Sequence, residues 1–303
     1  MRRVAGAAGA LAVLLVLSLF PGPLRPQPLR AAPGDDYAFL LAKSVKEDGV
    51  DYKELAAGRA ALDAYVRSLE AAEPGATDAA FWINAFNALV LQQVLDTKPA
   101  SVKGLFDARA WKVAGREVTL DRIENEILAG FEEPLVHLAL HRAARSGPPL
   151  AAVPYKGEDL AQALAQQARA YLGDKERNVF EYAQLRAELS MIFHWHREEF
   201  ERGREGAAPL QLFLADHVEK EEVARSLRKT AWRISFKPYD WSLDEAGGPK
   251  RAPGHPAWIA LYAIAVLALL FLGFRTFRML LRRPATPPAP APPNPPTGTL
   301  GAR

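Results

Sequence analysis

Asp78-Ala-Ala-Phe-Trp-Ile-Asn84-Ala-Phe-Asn87-Ala-Leu-Val-Leu-Gln-Gln-Val94 is apolar on nearly every side when wound as a helix. A helix of that kind is buried all round rather than laid on a surface. Only Asn84 and Asn87 break the apolar surface in its middle, and their i, i+3 spacing puts them on one stripe with Ala88, Leu91 and Val94. A buried carboxamide left unpaired costs ~1 to 3 kcal/mol. The stripe therefore predicts that Asn84 and Asn87 clamp neighbouring loops to the helix, with ligand binding as the other reading. Thr77 is the expected N-cap, and Pro99 lies beyond the expected end.

Working outward from this helix, Leu40, Leu41 and Val45, then Leu55, Leu62, Tyr65, Val66 and Leu69, recur at helical spacing on the N-terminal side. On the other side, Trp111 to Val118 alternates about Ala114-Gly115 and reads as a hairpin. Thr119 opens a short helix with Ile123, Glu124 and Ile127, which Gly130 is expected to stop. The run Leu135 to Leu140 is read as a strand feeding the turn Ser146-Gly147-Pro148-Pro149. Residues 157–172 read as a helix, the stripe Leu189, Ile192, Phe193, His196 and Phe200 as another, and Thr230 to Phe236 as a last strand. The fold class expected is a helix-dominated α+β single domain with a small sheet over 36–244.

The chain has 303 residues, is 49% hydrophobic and contains no cysteine, which excludes disulfides, thiolate metal sites and thiol nucleophiles. Its net charge of +3 is unevenly spread. Eleven of the 38 basic residues lie before residue 35 or after 249, where there are no acids. The remainder holds 27 basic residues against 35 acidic ones, a balance of −8. That balance argues against a nucleic-acid surface.

The basic ends flank apolar runs. Residues 1–32 have the short positive head and apolar middle of a signal peptide or an N-terminal anchor. Residues 245–256 read as a linker, and 257–274 as a single-pass transmembrane helix followed by Arg275, Arg278, Arg282 and Arg283. This pattern predicts a membrane protein with the globular domain outside the cytoplasmic membrane and the tail in the cytoplasm. The tail over 284–303 is Pro-rich and of polyproline II character. The expected partners are the lipid bilayer through 257–274 and a protein reading the tail.

Candidate chemistry is sparse. His194 and His196 point about 200° apart on a helix, and on a strand His137 and His141 would be ~13 Å apart. No metal and no cofactor is expected, and His196 is read as a core histidine. Glu198-Glu199 is read as part of a solvated charge run. Ser146, His137 and Glu124 supply a nucleophile, a base and an orienting carboxylate by residue type, although Ser146 lacks the Gly-x-Ser-x-Gly elbow. Asn84, Asn87 and Arg145 are the binding candidates.

Six ordered motifs then carry a resemblance: Phe81-Trp82-Ile83-Asn84-Ala85-Phe86-Asn87-Ala88; Leu120-Asp121-x-Ile123-Glu124-x-x-Ile127-Leu128; Pro134-x-x-His137-x-Ala139-Leu140; Ser146-x-Pro148-Pro149-Leu150; Leu189-Ser190-x-Ile192-Phe193-x-Trp195; and Tyr239-Asp240-Trp241-Ser242-Leu243. Together they resemble the family catalogued as domain of unknown function 547. The resemblance implies an uncharacterised domain of bacterial envelope proteins, with a cysteine between Ser146 and Pro148 that suggests a cysteine hydrolase. Here Gly147 takes the cysteine position, Leu135 replaces an arginine, and Ala144 stands where serine is common. The expected function is non-catalytic binding or assembly, and the alternative is a hydrolase using Ser146 or a water activated by His137.

Overall fold

The computed structural model of the protein describes residues 32–75 and 77–248. At its centre runs α4 (Ala79–Thr97), preceded by α1 (Pro33–Ser44), a hairpin of β1 (Val45–Lys46) and β2 (Gly49–Val50), α2 (Tyr52–Ala57) and α3 (Arg59–Glu70). The cap of α4 is Asp78 rather than Thr77, its carboxylate accepting from the Phe81 N–H at 2.9 Å. A carboxylate suits that position because it also meets the positive end of the helix dipole. Lys98 closes the helix in a left-handed conformation, with φ 46°.

A second hairpin, β3 (Trp111–Val113) and β4 (Arg116–Val118), turns through Ala114 and Gly115, both at positive φ. Two-residue hairpin turns of this kind match the twist of their strands. Thr119 then accepts from the Arg122 N–H and starts α5 (Leu120–Arg122), which passes into a π-helical turn over Ile123–Leu128. The turn runs past Gly130 and ends at Glu132.

Two readings of short segments are corrected. Residues 134–138 form a 3-10 helix, not a strand, begun by Pro134 and capped by the Glu133 carboxylate on the Leu135 N–H at 3.0 Å. The stripe from Leu189 to Phe200 is not one helix. Leu189 ends strand β6 (Arg186–Leu189), and α7 (Ile192–Trp195) and α8 (Arg197–Glu201) follow with a break at His196.

β6 pairs antiparallel with β5 (Val179–Glu181) and parallel with β7 (Arg233–Phe236). A parallel pair needs a long crossover. It is supplied by α7, α8, α9 (Pro209–His217) and α10 (Glu221–Lys229). Gln211 pins this crossover: its amide donates to Leu227 O and Thr230 O, and its oxygen accepts from the Trp232 N–H. The last long helix, α6 (Leu160–Gly173), follows a 3-10 turn at Gly157–Asp159 and buries Leu164, Ala168, Tyr171 and Leu172. The class of the described residues is thus helix-dominated α+β, with three small sheets among them in place of one.

A strap over 240–246 closes the domain. It bridges to Ser101, Ala144 and Val50 in turn. Its hydrogen bonds run from Val102 N to Trp241 O, Arg145 N to Ser242 O and Val50 N to Asp244 O. Gly49, at φ 147°, has no room for a side chain, since a Cβ there would lie 2.0 Å from Asp244 O. Backbone pairing continues to Ala246, beyond the expected linker start.

The single-pass transmembrane helix is also corrected. No helix among the described residues is long and apolar enough to cross a membrane. The longest apolar one, α4, has 19 residues, but Asn84, Asn87, Gln92 and Gln93 interrupt it and protein surrounds it. The membrane localisation and the sidedness inferred from that helix have no support among the described residues, and the lipid partner expected through 257–274 rests on residues outside them. All but the last residue of the expected signal or anchor (1–32), the span (257–274) and the tail (284–303) lie outside the described residues.

Candidate functional site

Three irregular turns converge on one buried cluster. The π-helical turn carries Glu124 inward while Asn125 and Glu126 stay exposed. Such wide turns recur at functional positions. The 3-10 turn carries His137, which is fully buried. The break between α7 and α8 carries His196, and Glu199 follows it on the first turn of α8.

The two imidazoles are stacked, with ring centroids 3.6 Å apart and planes inclined by 19°. Glu124 Oε1 lies 3.2 Å from His137 Nδ1 and 3.3 Å from His196 Nε2. On the opposite edges of the same rings, Glu199 Oε2 lies 2.8 Å from His137 Nε2 and Glu199 Oε1 lies 3.5 Å from His196 Nδ1. Each carboxylate therefore spans both rings. Arg142, itself buried, donates to Glu124 Oε1, and its Nη2 is 3.4 Å from His196 Nε2. The Phe200 ring stands edge-on to His137 at 6.0 Å.

The charges follow from these contacts. Burial pushes the Glu124 carboxyl up, but the Arg142 charge and the bonds from His137 and His196 outweigh it and hold it well below the usual carboxylate range. Burial lowers His137, while its bonds to Glu124 and Glu199 prevail and raise it above the ordinary imidazole value. Glu199 is held low, first by its bonds from the two histidines. Its side chain is 22% exposed and lines a cleft with Glu132, Pro134, Leu135 and Phe213. That cleft is where the cluster meets solvent.

Glu124 and His137 are thus brought together as their residue types suggested. Ser146 is not joined to them. Its Oγ accepts from the Asp240 N–H at 2.9 Å and its carbonyl accepts from the Tyr171 hydroxyl, while both His137 nitrogens face carboxylates. Arg145 is half-buried and tied through its N–H to the strap. Asn84 bonds both N–H and carbonyl of Tyr155, and Asn87 bonds Ala139 O and the His141 N–H. Both carboxamides are spent on backbone.

His196, Glu199 and Arg142 were missing from the residues picked out by sequence. His196 fell on an apolar stripe and Glu199 in a run of acids, and only the helix break turns both toward His137. The i, i+3 spacing of His196 and Glu199 was the available signal.

The architecture is that of an α+β domain organised around a buried acid–histidine cluster. Residues 73–172 match the family model described as "Protein of unknown function, DUF547", which bears out the resemblance read from the motifs. The matched stretch carries Glu124, His137 and Arg142, while His196 and Glu199 lie C-terminal to it. No curated protein and no solved structure matches the chain.

Proposed function

We propose that the domain is a non-catalytic binding module whose binding centre is the Glu124, His137, His196 and Glu199 cluster. One observation supports this reading above the others: the groups that would carry out hydrolysis are already committed. The Ser146 hydroxyl is held by Asp240 N, and both nitrogens of His137 are held by carboxylates. Gly147 brings no side chain to the cysteine position. A Cβ there would lie 3.1 Å from Ala144 O and 3.1 Å from the Tyr239 hydroxyl, so a side chain fits only if these neighbours give by a few tenths of an ångström.

Hydrolysis by a water activated at His137 is the second reading. It is favoured by the position of Glu199, which joins His137 to an open cleft. The two readings separate when the full chain is assayed against chromogenic esters, amides, phosphoesters and glycosides. The binding reading expects no turnover above the buffer rate. Turnover that falls ~100-fold or more in His137→Gln, while circular dichroism is unchanged, overturns it in favour of acid–base catalysis. Loss in Ser146→Ala alone would restore the serine.

A further inference from the structure

We propose that Glu124, His137 and His196 bind one divalent first-row transition ion, with Glu199 and Arg142 holding those three side chains in place. The inference rests on the reading of the cluster as a binding centre and names its ligand. The three inner atoms, Glu124 Oε1, His137 Nδ1 and His196 Nε2, all lie within 4.8 Å of one another. Two of the separations are 3.2 and 3.3 Å. Ligands on ~2.0 to 2.1 Å bonds in a tetrahedral zinc site stand about 3.3 Å apart by simple geometry. The inner corner therefore has the spacing of a three-ligand face, and one of the two stacked rings must turn to aim its lone pair at the same ion.

The outer contacts are those a metal site requires. A histidine that binds an ion through one nitrogen characteristically gives its other N–H to a carboxylate, and a ligating carboxylate is itself hydrogen-bonded. Here both outer nitrogens face the same carboxylate, Glu199, and Glu124 is bonded by Arg142.

The ring hydrogen bonds run between His137 and the two carboxylates, and His196 Nε2 faces Arg142 Nη2 at 3.4 Å. An ion at the inner corner displaces any proton on His137 Nδ1 and the Arg142 contact to His196, and leaves each ring an N–H for Glu199. Two imidazole nitrogens with one carboxylate oxygen favour zinc and its neighbours, whereas magnesium and calcium take all-oxygen shells. The ion would join three chain segments, the π-helical turn, the 3-10 turn and the α7/α8 break, and so stabilise the fold by mass action.

The test uses the untagged full chain, stripped of metal by chelator and dialysed. It is titrated with zinc chloride against a chromophoric chelator, and with cobalt chloride followed by visible absorption. The expected result is one ion per chain, tetrahedral cobalt bands, and a thermal midpoint that rises with zinc concentration. His196→Gln should weaken binding by about 100-fold or more, and Glu199→Gln by ~10- to 100-fold. A folded wild-type chain without saturable one-to-one binding overturns the proposal, as does wild-type affinity in His196→Gln. If that variant does not fold, imidazole resonances of the wild type decide: His137 and His196 must move in proportion to bound ion, and unmoved resonances overturn the site. No ion binding and no turnover would defeat this inference and leave the binding module standing. One bound ion with hydrolysis that depends on it would do the reverse.

Discussion

Asn84 and Asn87 on α4 and the histidine cluster are both buried and polar, yet they are built on opposite plans. The asparagines spend donor and acceptor alike on backbone groups of Tyr155, Ala139 and His141. The cluster spends its groups on other side chains, most of them ionisable. A side chain bonded to backbone holds a shape, whereas side chains bonded to one another hold charge and can exchange it for a ligand. The difference teaches where to look for function when the expected serine is engaged by backbone.

The comparison can be broken most decisively at Glu124. Glu124→Ala leaves Arg142 buried without its carboxylate, and unpaired buried charge costs about 3 to 5 kcal/mol. Urea unfolding of the metal-free chain should show that loss, and Glu124→Leu combined with Arg142→Met should recover most of it. If the single variant is as stable as wild type, Glu124 and Arg142 do not form a closed buried pair.

Asn87→Ala comes next. It orphans Ala139 O and the His141 N–H, at ~1 to 3 kcal/mol for each buried group, so a loss of about 2 to 6 kcal/mol is expected in the same assay. Zinc affinity should stay within about threefold, since the side chain touches only backbone. A larger loss of affinity than of stability would erase the distinction between clamp and cluster.

Glu199→Gln should move stability by less than about 1 kcal/mol, because the group is partly solvated and an amide can still accept from one ring. Its effect belongs to the cluster's ligand, which makes it the mirror image of Asn87→Ala.

The smallest effect is expected at His217, which lines the same cleft as Glu199. Burial lowers it below its ordinary value of 6.5, and Arg204 and Arg169 act in the same direction against Asp216. With the folded value depressed, the unfolded chain binds the proton more readily, so the stability at stake is present above about pH 6.5 and is lost as pH falls below it. Comparing urea midpoints at pH 7.5 and 5.5, His217→Phe should lose less than wild type. An equal loss in both would mean that His217 is not buried in solution.

What the sequence made legible followed from strong local signals. The all-round apolar pattern places α4, Gly115 at a two-residue turn places the second hairpin, and Thr119 caps the helix that follows. Leu135 to Leu140 misled because a short apolar run looks the same in a strand and in a buried 3-10 turn. The stripe from Leu189 to Phe200 misled because Ser190, whose N–H is taken by Asn178 Oδ1, ends a strand where helical spacing continues. The site was half legible. Glu124 and His137 are near in sequence, whereas His196 and Glu199 reach them only through the crossover between β6 and β7, which no spacing rule reports.

The strap over 240–246 sets a condition on how the chain is made. Val50, Ser101 and Ala144 all wait for partners that leave the ribosome last among the described residues. Contacts so distant in sequence form late and slow the search for the native state. The N-terminal helices can collapse on α4 during synthesis, but they do so with an open seam. The newborn domain is therefore most exposed to proteases and chaperones just before residue 246 emerges. A chain cut at residue 239 would stay in that condition permanently.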